Sequence, residues 1–83
     1  MKPDNFLKDV TKKLSQLRER HPEKVHSTHE GFSLLNEEVD ELWDEVKKKN
    51  KLRDYKSMYH ELVQIAARAQ RMAEDVVIPR IEN

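Results

Sequence analysis

The sequence has no cysteine, a single glycine and no long apolar run among its 83 residues. Because cysteine is absent, the chain can form neither a disulfide framework nor a thiolate metal site, which excludes a zinc finger and favours an intracellular protein. It also lacks the roughly eighteen consecutive apolar residues that a membrane-spanning helix needs. The first residues read MKPDNFLKDV and lack the apolar run of a signal peptide. We therefore predict a cytoplasmic protein without a membrane partner.

Net charge is absent as well, because the sixteen basic and sixteen acidic residues cancel. General nucleic-acid binders carry an excess of basic charge, so nucleic acid is not an expected partner. The low glycine and proline content and the regular spacing of apolar residues favour a helical bundle over disorder. A chain of this length buries a small core, and we therefore expect oligomerisation to contribute to its stability.

Apolar residues recur at steps of three and four, which predicts three helices in a single domain over residues 1–83. These helices span about residues 4–20, 28–49 and 54–78. Asp4 is the predicted N-cap of the first helix, and the spacing of Ser27 and Glu30 is typical of a capping box at the start of the second. Pro79 is expected to end the third helix, since proline cannot continue the backbone hydrogen bonds.

The short polar turn near residues 50–52 predicts that the second and third helices form an antiparallel hairpin. The apolar stripes of these two helices pair in one constant register, in which the two residue numbers of each pair add to the same value. The pairs are Val46 with Met58, Leu42 with Leu62, Val39 with Ile65, Leu35 with Ala69 and Phe32 with Met72. The predicted fold class is therefore all-α, a three-helix chain with a central antiparallel helical hairpin.

The third helix carries a second apolar stripe beside the first. Its residues are Tyr59, Val63, Ala66, Ala73 and Val77. One hairpin cannot cover both stripes, so we expect the first helix to cover part of this surface and a partner subunit to cover the rest. Trp43 lies close to the apolar stripe of the second helix, and we predict a packing or interface role for it. The expected assembly is at least a homodimer.

The second helix is crowded with carboxylates, which occupy six of the nine positions from Glu37 to Glu45. Like charges four residues apart on a helix cost roughly 0.2 to 0.5 kcal/mol per pair. The hairpin register brings Glu41 level with Glu61, and Glu38 lies beside them at the edge of the apolar stripe. Three converging carboxylates favour a hard divalent cation, Mg²⁺ or Mn²⁺. The alternative is a solvated acidic face that pairs with arginines of the third helix.

The acidic residues of the hairpin carry a family likeness. The pattern consists of Glu37, Glu38, Glu41, Glu61 and Gln64. It resembles the EExxE and ExxD signature of the all-alpha nucleoside triphosphate pyrophosphohydrolases of the MazG type, and the stretch from residue 26 to residue 77 is similar to small phage-type members. The resemblance implies an all-α dimer or tetramer around a four-helix core. It also implies a Mg²⁺-dependent cleavage of a (deoxy)nucleoside triphosphate to monophosphate and pyrophosphate.

The resemblance assigns roles to individual residues. The implied metal ligands are Glu38, Glu41, Glu61 and Gln64. The implied catalytic residues are Glu37, Glu38, Glu41 and Glu61, with Glu37 orienting the ligands or a water. The candidate contacts for the substrate's phosphates are Lys48, Lys51, Arg68 and Arg71, although the lysines also suit the C-terminal end of a helix.

The chain departs from the signature at one position, where Gln64 replaces aspartate. A glutamine carbonyl can coordinate a hard cation but brings no charge, so we expect weaker metal binding. The first alternative function is therefore a non-catalytic helical interaction module that kept the fold and lost the full metal chemistry. A second alternative is an acidic adaptor held together by salt bridges.

Overall fold

The structure is a computed structural model that describes residues 5–83, and within this range it contains helices and no strand. The helices are α1 (Phe6–Arg20), α2 (Thr28–Val46), α3 (Tyr55–Met72) and α4 (Ile78–Glu82). A short 3₁₀ turn, Asn50–Leu52, connects α2 to α3, and a π-helical turn, Ala73–Val77, joins α3 directly to α4. Among the described residues, no helix has the length and apolar content that crossing a membrane requires. The predicted all-α class with three main helices is confirmed.

The starts of the helices follow from side-chain caps. Asn5 is the N-cap of α1, and its Oδ1 accepts the backbone N–H of Lys8 at 3.1 Å. The predicted cap of this helix, Asp4, lies outside the described residues. Ser27 caps α2 as predicted, because its Oγ accepts the N–H of Glu30 at 3.0 Å. The Glu30 carboxylate in turn accepts the N–H of residue 26, whereas in the standard capping box it accepts the N–H of the N-cap residue itself.

The ends of α2 and α3 differ from the predicted ones. Helix α2 ends at Val46 rather than near residue 49, and the Arg53 Nε donates to the Val46 carbonyl at 2.9 Å, which satisfies a free carbonyl of the last turn. The third helix continues past Pro79 to Glu82. Pro79 lies in the first turn of α4, immediately after the π-helical turn, where a missing N–H is tolerated.

Helices α2 and α3 form the predicted antiparallel hairpin. Gly31 packs so closely on Met72 that a Cβ at Gly31 would lie 2.6 Å from the Met72 Cγ. This contact is within one residue of the predicted pairing of Phe32 with Met72. At the other end of the hairpin, the Asp54 N–H donates to the Glu45 carboxylate at 2.6 Å. The absence of a side chain at position 31 therefore sets how closely the two helices approach each other.

The buried core is not the stripe that the sequence predicts for the hairpin. It lies between α1 and α3 and consists of Val10, Leu14, Leu17, Val63 and Ala67. Helix α1 thus covers part of the second stripe of α3, as expected. In contrast, Phe32 is 61% exposed, Val39 42% and Leu62 43%. Because α3 turns its small residues toward α1, the larger apolar side chains of the hairpin remain on an outer face.

Candidate metal centre

Three carboxylates meet between α2 and α3. Glu38 and Glu41 lie almost one turn apart on α2, and Glu61 faces them from α3. Each offers one oxygen, and these oxygens lie within 4.8 Å of one another. Glu38 is buried, Glu61 is half-buried and Glu41 is exposed, so the group opens from the hairpin core to solvent. The structure therefore brings together the three carboxylates that the sequence singles out, and we call them the acidic triad.

Positive charge beside the acidic triad is sparse. Within the described part of the chain, the ion pair at this site joins the Arg68 Nε to the Glu38 Oε1 at 3.9 Å, a long separation. The same Nε is buried and makes no hydrogen bond with another group of the protein. Three carboxylates thus share one loosely paired cation. Of the two arginines in the alternative prediction, Arg68 makes this long ion pair, whereas Arg71 pairs with Asp75.

The crowding shifts the protonation of the acidic triad. Burial, followed by the neighbouring Glu41 and Glu38 carboxylates, raises the pKa of Glu61 to about 8. Burial also raises the pKa of Glu38, with Glu41 adding to the effect and with Glu61 and Arg68 opposing it. At neutral pH the triad accordingly retains a proton. A cation that binds the carboxylates must displace this proton, so cation binding is coupled to proton release.

Gln64 lies on α3 almost one turn after Glu61. Its Nε2 is 3.4 Å from the Nε2 of His60, and its Oε1 is buried without a hydrogen-bond partner. The Oε2 of Glu61 is also buried without a partner. A buried acceptor that lacks a donor costs roughly 1 to 3 kcal/mol. A hard cation would relieve such a cost by taking oxygen ligands, and the three carboxylates of the acidic triad are the donor chemistry that Mg²⁺ and Mn²⁺ prefer.

Several predicted site residues lie apart from the acidic triad. Glu37 is exposed on α2 and does not share the cluster of its neighbour Glu38. The Lys48 ammonium pairs with the Glu45 carboxylate at 3.0 Å beyond the end of α2. Lys51 is exposed in the 3₁₀ turn. The structure therefore brings none of these three predicted residues into the triad.

Arg71 is buried and occupied elsewhere. Its side chain is 3% exposed and its Nε pairs with Asp75 at 3.4 Å. The remaining guanidinium nitrogens donate to backbone carbonyls in the last turns of α1 and in the segment that links α1 to α2. These carbonyls belong to Leu17, His21 and Glu23. With its donors engaged in this way, Arg71 holds the connecting segment onto α3 and is not available to a phosphate.

Asp75 completes the attachment of the connecting segment. It accepts the Val25 N–H at 3.0 Å and pairs with the Arg18 guanidinium at 3.0 Å. Burial alone would raise the pKa of Asp75, but the Val25 N–H and the Arg18 charge outweigh it and lower the pKa. The sequence pattern did not reveal this network. Arg71 and Asp75 are four residues apart on the helix, but the other partners lie about fifty positions away in the sequence, and no local spacing links them.

The chain matches no protein-family model, and comparisons with curated proteins and with solved structures found no match.

Proposed function

We propose that this protein is a Mg²⁺-dependent nucleotide pyrophosphohydrolase, with Mn²⁺ as an alternative cation. It would cleave a nucleoside or deoxynucleoside triphosphate to a monophosphate and pyrophosphate. The observation that carries the proposal is the convergence of three carboxylate oxygens within 4.8 Å, beside Arg68, whose Nε lies 3.9 Å from the Glu38 Oε1. Such a group is costly without a counter-ion. The resemblance of the acidic pattern to the MazG-type signature supplies the reaction.

The acidic triad would hold the cation, and Gln64 would add a neutral oxygen ligand. When bound, the cation supplies Lewis acidity toward the phosphate and lowers the pKa of a water molecule. Glu61 then gives up the proton that it retains at neutral pH, since its pKa is about 8 in the free protein. Arg68 adjoins the triad through its long ion pair with Glu38, and its buried Nε makes no hydrogen bond, so we assign it to the substrate's phosphates. Glu37, which the resemblance implies as a residue that orients the ligands or a water, is exposed and lies outside the acidic triad.

An exposed apolar face supports a homo-oligomer. On α2 it includes Phe32, Val39 and Trp43, which are 61%, 42% and 59% exposed, and on α3 it includes Leu62 at 43%. Two hairpins that bury these faces against each other would make a four-helix core, as a homodimer or within a homotetramer. Burial of these large side chains gives the driving force, since each contributes roughly 1.5 to 3 kcal/mol when fully buried.

A non-catalytic helical interaction module is the second candidate, and one specific observation favours it. With Glu61 protonated and Gln64 neutral, the acidic triad loses part of its repulsion without any cation. A protein that only needed the helical fold could tolerate this arrangement. The two candidates differ in their expected response to Mg²⁺. The enzyme should bind the cation more tightly at higher pH, whereas the interaction module should not.

The test is a direct assay of the products. The protein is incubated with Mg²⁺ and a panel of nucleoside and deoxynucleoside triphosphates, and pyrophosphate and orthophosphate are measured separately. We expect pyrophosphate from at least one substrate. Glu38→Gln should lower the rate of pyrophosphate release at least about 100-fold, because removing even the groups that support a metal ligand lowers metal affinity or activity by 10- to 100-fold. Asp40→Asn is the matched control, because Asp40 is an exposed carboxylate of α2 outside the triad. Release of orthophosphate instead, or equal activity in both variants, would contradict the proposal.

A further inference from the structure

A cavity of about 320 Å³ lies between the connecting segment, residues 21–27, and the α2–α3 hairpin. Arg68 lines this cavity, and the same side chain reaches to 3.9 Å from Glu38 of the acidic triad. The cavity and the candidate metal centre thus share a residue. Its volume is within the range of about 300 to 1,000 Å³ that is typical of small-molecule sites.

One wall of the cavity is held in place by buried polar contacts. Arg71 donates to the carbonyls of His21 and Glu23, and Asp75 accepts the N–H of Val25. The Arg71 and Asp75 side chains are both 3% exposed, so these contacts are shielded from water. A wall fixed in this way does not have to be ordered when a ligand binds, which favours affinity.

The lining of the cavity is balanced in charge. Among the lining residues, Lys24 and Arg68 are matched in number by Glu23 and Glu30. The third cation, Arg71, pairs with Asp75, which lies behind the lining. Apolar and aromatic groups complete the lining. They are Val25, Leu34, His21 and His26. A pocket for polyphosphate alone would carry an excess of positive charge, whereas a balanced pocket with apolar walls suits a neutral, planar group that both donates and accepts hydrogen bonds.

We infer that this cavity binds the nucleoside part of the substrate, with Arg68 at the boundary between nucleoside and phosphates. The inference rests on the proposed function, because it is the acidic triad that places the phosphates on the other side of Arg68. The imidazole of His26 stacks on or hydrogen-bonds to the base or the sugar. Leu34 on α2 provides an apolar surface for it.

Two variants probe the cavity without altering the acidic triad. His26→Ala removes an exposed ring from the lining and leaves the backbone N–H that Glu30 accepts. Leu34→Trp fills the cavity with a larger side chain. His29→Ala is the matched control, because His29 is an exposed histidine three residues further on that does not line this cavity. If Leu34→Trp fails to fold, His26→Ala still gives the answer.

The experiment follows the amide NMR signals of the full chain during titration with the four ribonucleoside monophosphates and, separately, with inorganic pyrophosphate, each in the presence of Mg²⁺. We expect at least one monophosphate to shift the amides of residues 23–26 and of Leu34, and pyrophosphate to leave most of them unchanged. His26→Ala should weaken monophosphate binding about five-fold, as the loss of one hydrogen bond or stacking contact predicts, and His29→Ala less than about two-fold. Leu34→Trp should weaken it at least about ten-fold.

The outcomes separate this inference from the proposed function. Monophosphate shifts located elsewhere, equal affinities in His26→Ala and His29→Ala, or identical shifts caused by pyrophosphate would overturn the cavity assignment even if the protein hydrolyses triphosphates. Monophosphate binding in the cavity by a protein that releases no pyrophosphate would support the assignment and remove the proposed reaction.

Discussion

Replacing Glu61 by glutamine should stabilise the cation-free protein, and it should do so at high pH more than at low pH. Burial and the two neighbouring carboxylates raise the pKa of Glu61 from an ordinary 4.5 to about 8. For a carboxyl whose folded pKa is raised, the folded state holds the proton more tightly than the unfolded state. The stability that this proton contributes is therefore fully present below about pH 4.5 and is lost as the pH rises through about 8. Glutamine keeps the shape of the side chain and never carries the charge.

The pKa interval sets the size of the effect. From 4.5 to about 8 it spans about 3.5 pH units, which at about 1.36 kcal/mol per unit gives an upper bound of about 5 kcal/mol. Glu61 is half-buried, and solvent screens its charge, so we expect about 1 to 2 kcal/mol. For a domain of this size, 1 kcal/mol corresponds to about 4 to 8 °C in the unfolding temperature. Glu61→Gln should therefore unfold at least about 5 °C above the wild type at pH 8.5.

The assay is urea and thermal unfolding followed by circular dichroism, with chelator present, at pH 5.0 and pH 8.5. Asp40→Asn serves as the control, because it removes an exposed carboxylate from the same helix, α2, without touching the acidic triad. At pH 5.0 the wild type and Glu61→Gln should differ by less than about 0.5 kcal/mol, since Glu61 is then protonated in the folded state. A variant that is less stable than the wild type at pH 8.5, or equally stabilised at both pH values, would refute the reasoning.

Four further outcomes are expected. Millimolar Mg²⁺ should raise the unfolding temperature of the wild type more at pH 8 than at pH 6, because bound protons compete with the cation. Glu41→Gln should reduce this rise. A rise that does not depend on pH would argue against the triad as the binding site. Gln64→Asp should tighten Mg²⁺ binding about ten-fold in a calorimetric titration, since it adds an anion beside the cation. A variant that is less stable and shows no gain in Mg²⁺ affinity would favour the interaction module. Asp75→Asn should lower the free energy of unfolding, measured by urea unfolding, by about 3 kcal/mol or more, because it leaves the buried Arg71 charge without its carboxylate partner. A loss below about 1 kcal/mol would show that the network contributes little to stability. Trp43→Glu should shift the protein toward monomer in sedimentation at micromolar concentration, and a wild type that is already monomeric would exclude the proposed apolar interface.

Much of the helical framework is readable from local sequence. Ser27 caps α2 as its spacing to Glu30 predicts, and the short polar turn fixes the antiparallel hairpin. Local sequence does not show, however, which of the apolar stripes is buried. Helix α3 has two adjacent apolar stripes of similar strength, and only the docking of α1 onto Val63 and Ala67 decides which one forms the core. The continuation of the last helix past Pro79 also depends on a π-helical turn that propensity alone does not indicate.

The candidate site also has features that the local sequence predicts and features that it does not. The register of the hairpin was enough to predict that Glu38, Glu41 and Glu61 converge, because it depends only on the turn and on the steps of the stripes. The register places Glu38 at the edge of the apolar stripe but does not give the depth of its burial, which leaves it 8% exposed. The contacts of Arg71 are likewise not evident from the sequence. Its contacts with carbonyls about fifty residues away are long-range, so its charge alone suggested a phosphate ligand.

The central claim is that the acidic triad holds a divalent cation, and the most direct test is the binding of Mn²⁺ followed by the loss of its free-ion signal in electron paramagnetic resonance at pH 8. We predict saturable binding by the wild type and by Asp40→Asn, with an affinity at least about ten-fold weaker in Glu38→Gln, because that substitution removes the buried carboxylate of the triad. No saturable binding by the wild type, or the same affinity in all three proteins, would contradict the claim.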